Sequence, residues 1–136
     1  HDESAWEGTP VQFFGGVEGA LSASVATIFM GGVPLFYTGQ EVGREEKVPF
    51  FTNSPIDWSE NPEMLASYQS MMKFYSESET ARKGSFINYS SDDVICFKKT
   101  LNGDDILVLI NIHIGLLGKG ILGLGGFTDL ITAGLF

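Results

Sequence analysis

The sequence predicts an α/β segment followed by an antiparallel all-β segment, and three features carry that expectation. Apolar residues recur at helical spacing over 19–30, Gly31-Gly32 interrupts them, and a short apolar run follows over 33–37. Helix, two-glycine turn and buried strand make half of a βαβ repeat. After Gly84 the period changes from helical to strand-like, and Asn102-Gly103 stands between two apolar runs as a hairpin turn. The division between the two segments is therefore placed near residues 84–88.

Taken in order, residues 1–18 mix Gly, Pro and Phe without a sustained period and read as an irregular loop. The first helix carries Leu21, Val25, Ile28 and Phe29, with Ala and Ser between them that let it lie close to a sheet. The run over 33–37 suits a short buried parallel strand. Residues 43–60 form a loop with the charged cluster Arg44, Glu45, Glu46 and Lys47 ahead of Pro49-Phe50-Phe51. Asn61 suits a cap and Pro62 the first position of a second helix. Its stripe is Leu65, Tyr68, Met72 and Tyr75, widened by Met64 and Met71. Gly84 ends it after Arg82 and Lys83, whose charges favour a helix C-terminus. Strands are expected over 93–99 and 105–112. Val94, Ile95, Cys96 and Phe97 are apolar on both faces, which suits the interior of a sandwich. Over 115–126 six glycines and five Leu or Ile leave too little alternation to specify a register.

Composition narrows the function without selecting it. At 136 residues and 43% hydrophobic, the chain can bury a core and is not of the disordered class. Eight Lys and Arg against seventeen Asp and Glu give −9, which excludes nucleic acid and anionic membrane as natural partners. Such a surface suits a neutral ligand. Cys96 is the only cysteine, so an internal disulfide is ruled out and the compartment is left open. Residues 1–20 lack the basic start and apolar core of a signal peptide. Asn111, His113, Lys119 and Asp129 interrupt the apolar tail and argue against a membrane span. With only His1 and His113, the usual His/Cys metal cluster is not available, and Gly15-Gly16 with Gly19 lacks a dinucleotide fingerprint.

The segment Gly31-Gly32-Val33-Pro34-Leu35-Phe36-Tyr37-Thr38-Gly39-Gln40-Glu41-Val42-Gly43 closely resembles the last barrel strand of the α-amylase family of glycoside hydrolases. His1-Asp2 is similar to the end of that family's fourth conserved motif, Asn-His-Asp, and its distance to the strand motif suits one loop plus one helix. Ile56-Asp57-Trp58 is similar to the Asp-Trp segment that follows the last strand. Ile106-Leu107-Val108-Leu109-Ile110-Asn111 and Phe127-Thr128-Asp129-Leu130-Ile131-Thr132 resemble strands of the family's C-terminal β-sandwich. The resemblance implies an α/β plus β fold: the last βα portion of a (β/α)8 barrel over 1–84, then part of an antiparallel β-sandwich over 85–136. It also implies a C-terminal fragment of the enzyme.

For function, the resemblance implies retaining hydrolysis of α-glucosidic bonds in starch-like glucans, with α-glucan or maltooligosaccharide as the partner. Three carboxylates do that work: a nucleophile, a general acid/base, and a third that supports a transition state of oxocarbenium character. Asp2 matches the third as catalytic transition-state stabiliser, and His1 matches its sugar-binding neighbour. Trp58 and Gln40 are further substrate-binding candidates, and Glu41 is expected to pair within the barrel. Trp6, Phe50 and Phe51 could stack on sugar rings or simply pack. Motifs for the nucleophile and the acid/base lie upstream in the family, so the chain alone is expected to be inactive and, with raw sheet edges, to self-associate. No metal ligands or cofactor are expected in this chain; calcium, which family members often bind, would be held by the parent enzyme outside the segment. Two other classes remain open on the residues: a non-catalytic carbohydrate-binding or accessory domain, and a structural interaction module.

Overall fold

A computed structural model describes residues 2–111 and 120–123, so His1, His113 and the strand expected over 127–132 lie outside the described residues. Two one-turn helices, α1 (Glu3–Trp6) and α2 (Pro10–Phe13), occupy the stretch expected to be irregular. Pro10 at the first position of α2 and the Gln12 side chain, which accepts from the Thr9 N–H at 3.0 Å, explain the second of these. Then come α3 (Val17–Phe29), a 3₁₀ turn (Gln40–Val42), α4 (Pro62–Glu77) and α5 (Glu79–Lys83).

The expected single helix after Asn61 is two helices. Asn61 Oδ1 accepts from the Met64 N–H at 2.9 Å and starts α4, as its residue type suggests. At Ser78 the backbone turns extended, and its Oγ accepts from the Ala81 N–H at 3.0 Å to cap α5. A second cap inside the helical pattern is what divides it.

The β segment is an antiparallel meander, β1 (Ser85–Asn88), β2 (Val94–Leu101), β3 (Asp104–Asn111) and β4 (Gly120–Gly123), in that order across the sheet. Asn102 and Gly103 both take positive φ, +53° and +92°, the geometry of a two-residue hairpin whose twist matches its strands. Register pairs Phe97 with Val108 and Lys99 with Ile106. One face, with Phe97, Lys99, Ile106, Val108 and Ile110, is buried against α3 and α5. Val94, Cys96, Leu107 and Leu109, on the opposite face, are half-buried.

The buried parallel strand expected over 33–37 is not formed. No strand among the described residues lies beside the segment to supply ladder bonds, and Val33 and Leu35 stand 91% and 71% exposed. Phe36 packs against the core, its ring edge-on to Tyr68 at 5.1 Å. A single core runs through α3, α4, α5 and the sheet and crosses residue 84. Phe29 is fully buried at its centre and meets Phe74 at 5.8 Å and Tyr75 at 6.4 Å. No helix of the described residues is long and apolar enough to cross a membrane.

Lys99 is the anomaly of this core. It lies buried on the inner sheet face, where its Nζ donates to the Ala81 carbonyl of α5. Burial pushes its amine below the ordinary lysine value. Between that lowered value and 10.5 the unfolded chain binds the extra proton, so stability should rise with pH through this window. Urea unfolding of wild type and Lys99→Met at several pH values below 10.5 checks this: the difference should change in wild type's favour as pH rises. Parallel curves would contradict it.

Candidate functional site

The site is built around the loop that follows α3. Gly39 and Gly43 flank the 3₁₀ turn in the left-handed region, at φ +83° and +69°, and so reverse the chain twice within five residues. The second reversal aims Arg44 inward. Its guanidinium is nine-tenths buried and makes four hydrogen bonds. Nε donates to Glu46 O at 3.1 Å and Nη1 to Pro55 O at 2.8 Å. Nη2 donates to Ser54 Oγ at 2.8 Å and to Glu46 Oε2 at 3.2 Å. One side chain thus ties the outgoing and returning limbs of the loop together.

The loop is also stitched to α1. The Val48 N–H donates to Ser4 O at 3.1 Å, Lys47 Nζ to Trp6 O at 2.7 Å, and Thr9 Oγ1 to Glu45 O at 3.3 Å. This places Phe50 edge-on to Trp6, centroids 5.3 Å apart, with Phe51 6.1 Å beyond Phe50. Asp2 sits at the N-terminal end of α1, half-buried, and its side chain does not cap the helix. Asp2 stands directly before α1, which ends at Trp6.

Gln40 lies elsewhere. Its Oε1 accepts from the Tyr37 N–H at 3.3 Å and its Nε2 donates to the Tyr68 phenol at 3.0 Å, so its side chain faces the core. Tyr68 OH lies 2.6 Å from Ser24 Oγ, which donates its one proton to Ala20 O at 2.8 Å. The phenol must then donate to Ser24, giving a one-way chain from Gln40 through Tyr68 and Ser24 to the α3 backbone. Burial pushes the Tyr68 phenol above its ordinary value; its hydrogen bonds with Ser24 and Gln40 oppose this, and the nearby Glu41 carboxylate adds to it. Glu41 Oε2 is buried without a hydrogen-bond partner among the described residues, unlike the internal pairing expected of it.

Trp58 is more than half exposed on a turn that Asp57 holds by accepting from the Ser59 N–H and Oγ, at 2.9 and 2.6 Å. Its ring is not part of the Trp6–Phe50–Phe51 group. Among the described residues no three His, Cys, Asp or Glu side chains converge. Neither the Arg44 clamp nor the Tyr68 relay was evident from sequence. Arg44 read as one member of a charged cluster, and Tyr68 as one member of an apolar stripe.

No protein-family model matches the chain. Alpha-amylase 2 of Dictyoglomus thermophilum is 30% identical over 103 residues, which cover 67% of this chain and 18% of that protein. The ligand-free cyclic α-maltosyl-(1→6)-maltose hydrolase of Arthrobacter globiformis has a TM-score of 0.57 and 25% identity, over 71% of this chain and 23% of that one. The same hydrolase in complex with cyclic α-maltosyl-(1→6)-maltose has a TM-score of 0.61 over 76% and 25%, and at 23% identity it speaks for the fold alone. This chain spans about a fifth of the curated relative's length.

Tyr68→Phe should destabilise the protein by about 1–3 kcal/mol, because it leaves the Gln40 amide without its buried partner. A urea midpoint equal to that of wild type would contradict the relay.

Proposed function

We propose that this chain, which belongs to the α-amylase family of glycoside hydrolases, supplies one carboxylate and part of the substrate wall of a retaining α-glucan hydrolase. The observation that carries the reading is 30% identity to an amylase over 103 residues. In a retaining mechanism one carboxylate attacks the anomeric carbon and another protonates the leaving oxygen. Asp2 fits neither role here. It accepts hydrogen bonds from sugar hydroxyls and favours the distorted, positively charged ring of the transition state. His1 binds the same sugar, and Trp58 offers a ring further along the loop. Gln40 serves the site from behind, by fixing the turn before Arg44.

In this reading residues 1–84 correspond to the C-terminal part of a catalytic barrel and residues 85–136 to part of a β-sandwich. The substrate is a starch-like glucan or maltooligosaccharide. The 136-residue chain does not turn it over, since a nucleophile and an acid/base are both needed and removal of either lowers turnover by orders of magnitude. The exposed Val33 and Leu35 support self-association of the chain.

Amide proton–nitrogen spectra of the chain with maltoheptaose test this reading. Saturable shifts near Asp2, weakened in Asp2→Asn, are expected, together with reducing-sugar release no higher than a mock-purified control. An unchanged spectrum contradicts the glucan site, and turnover above the control contradicts the division of catalytic roles.

A further inference from the structure

We infer that Asn88 accepts an N-linked oligosaccharide at the end strand of the sheet, with the Phe86 ring as the seat for its first sugar. This is a covalent modification, and it stands independently of the α-glucan reading above. Asn88-Tyr89-Ser90 is the one Asn-X-Ser/Thr triplet of the chain in which X is not proline. A triplet carries little weight by itself; its place in the fold decides.

The triplet lies where the fold can carry a bulky polar group. β1 is the end strand of the sheet among the described residues, and Asn88 is its last residue. All four residues of β1 are exposed, and Tyr89 and Ser90 continue that exposure. Asn88 Oδ1 accepts from the Ser90 N–H at 3.0 Å, which fixes the amide over the residues that follow it. The oxygen is thereby used. Nδ2, the atom that would bear the sugar, has no acceptor among the described residues. Phe86 stands two residues before Asn88 in the same strand, so both side chains leave on one face. Its ring is 43% exposed and rests against Phe97, centroids 5.0 Å apart. A sugar on Asn88 can therefore lay its C–H face on a ring that is already held in place.

The donor is an oligosaccharide on a polyprenyl diphosphate, transferred by a membrane-bound oligosaccharyltransferase. A bond forms between Nδ2 and C1 of the first sugar, and the C1–O bond to the diphosphate breaks. The diphosphate leaves with the bonding pair, and the amide gives up one proton to a base; nothing is oxidised or reduced. The hydroxyl two residues beyond the Asn is the group that such a transferase reads. In the folded chain that hydroxyl is taken. Ser90 Oγ accepts from the Cys96 N–H at 3.0 Å and donates to the Cys96 carbonyl at 3.2 Å. Cys96 belongs to β2, which follows the triplet in sequence. A chain still being exported presents Asn88 and Ser90 before β2 arrives to bind them, so transfer precedes the closure of β1 onto β2. In the finished fold the glycan stands at the exposed end of β1 and blocks the addition of a further strand there.

The test is translation of the 136-residue chain behind an added export signal, with microsomes that carry the lipid-linked donor and the transferase. Added protease removes the chains left outside, so only those inside the vesicles are scored. Wild type should gain one glycan, seen as a mobility shift that peptide N-glycosidase reverses while converting Asn88 to Asp. Asn88→Gln and Ser90→Ala should lack the shift, and Ser90→Thr should keep it. The purified folded chain, offered to the same transferase, should be modified at least about 10-fold more slowly than a peptide of residues 84–92, because Ser90 is free only when β1 opens. Removing the glycan from wild type should lower its urea midpoint, and Phe86→Ala should shrink that drop. Protected wild-type chains of unmodified mass would overturn the inference, as would a glycan that persists in Asn88→Gln. Equal rates for folded chain and peptide would overturn the order of events, and an undiminished drop in Phe86→Ala would overturn the seat.

Discussion

A guanidinium removed from water must have its donors met, and Arg44 meets that demand with the loop around it. Two of its partners are main-chain carbonyls and one is a serine hydroxyl. The remaining partner, Glu46, carries a largely exposed carboxylate, so solvent screens that pair and it contributes little. The clamp is therefore one of oriented hydrogen bonds rather than of opposite charges. A lysine could not reproduce it, because one ammonium cannot span both limbs with a planar fork. Gly39 and Gly43 make the clamp reachable by turning the chain inward on either side of the 3₁₀ turn.

Behind the loop, a second set of constraints keeps its base in place. The Gln40–Tyr68–Ser24 relay joins the 3₁₀ turn to α4 and α3, and those helices share a core with the sheet. Buried polar groups of this kind add little net stability but strongly penalise any rearrangement that leaves one unpaired. The surface carrying Asp2 and the aromatic rings thus rests on an interior with few alternative arrangements. The Glu41 oxygen, without a partner among the described residues, and the buried Lys99 are places where that interior carries a destabilising group.

What could be read from sequence divides along physical lines. Local signals were legible: Asn61-Pro62 began a helix, Asn102-Gly103 made a hairpin, and β2 and β3 fell within a residue or two of expectation. Non-local partners were not. The run over 33–37 has the composition of a buried strand, but strand formation depends on neighbours that its own residues cannot specify, and here it forms no strand. β1 gives no alternation of its own, since Phe86 and Ile87 are both exposed. Ser78 looked like one more helix residue until its side chain capped α5. At the site, the resemblance picked out Asp2, Trp58 and Gln40, while the inward turn of Gln40 and the clamp of Arg44 depend on residues distant in sequence.

The central claim is that Arg44 fixes the loop bearing the aromatic rings, and amide hydrogen exchange of Arg44→Lys tests it most directly. Exchange should quicken over residues 45–56 and at Trp6, while β2 and β3 keep their wild-type protection. Unchanged exchange in the loop, or an equal loss of protection across the whole sheet, would contradict a clamp that acts on this loop.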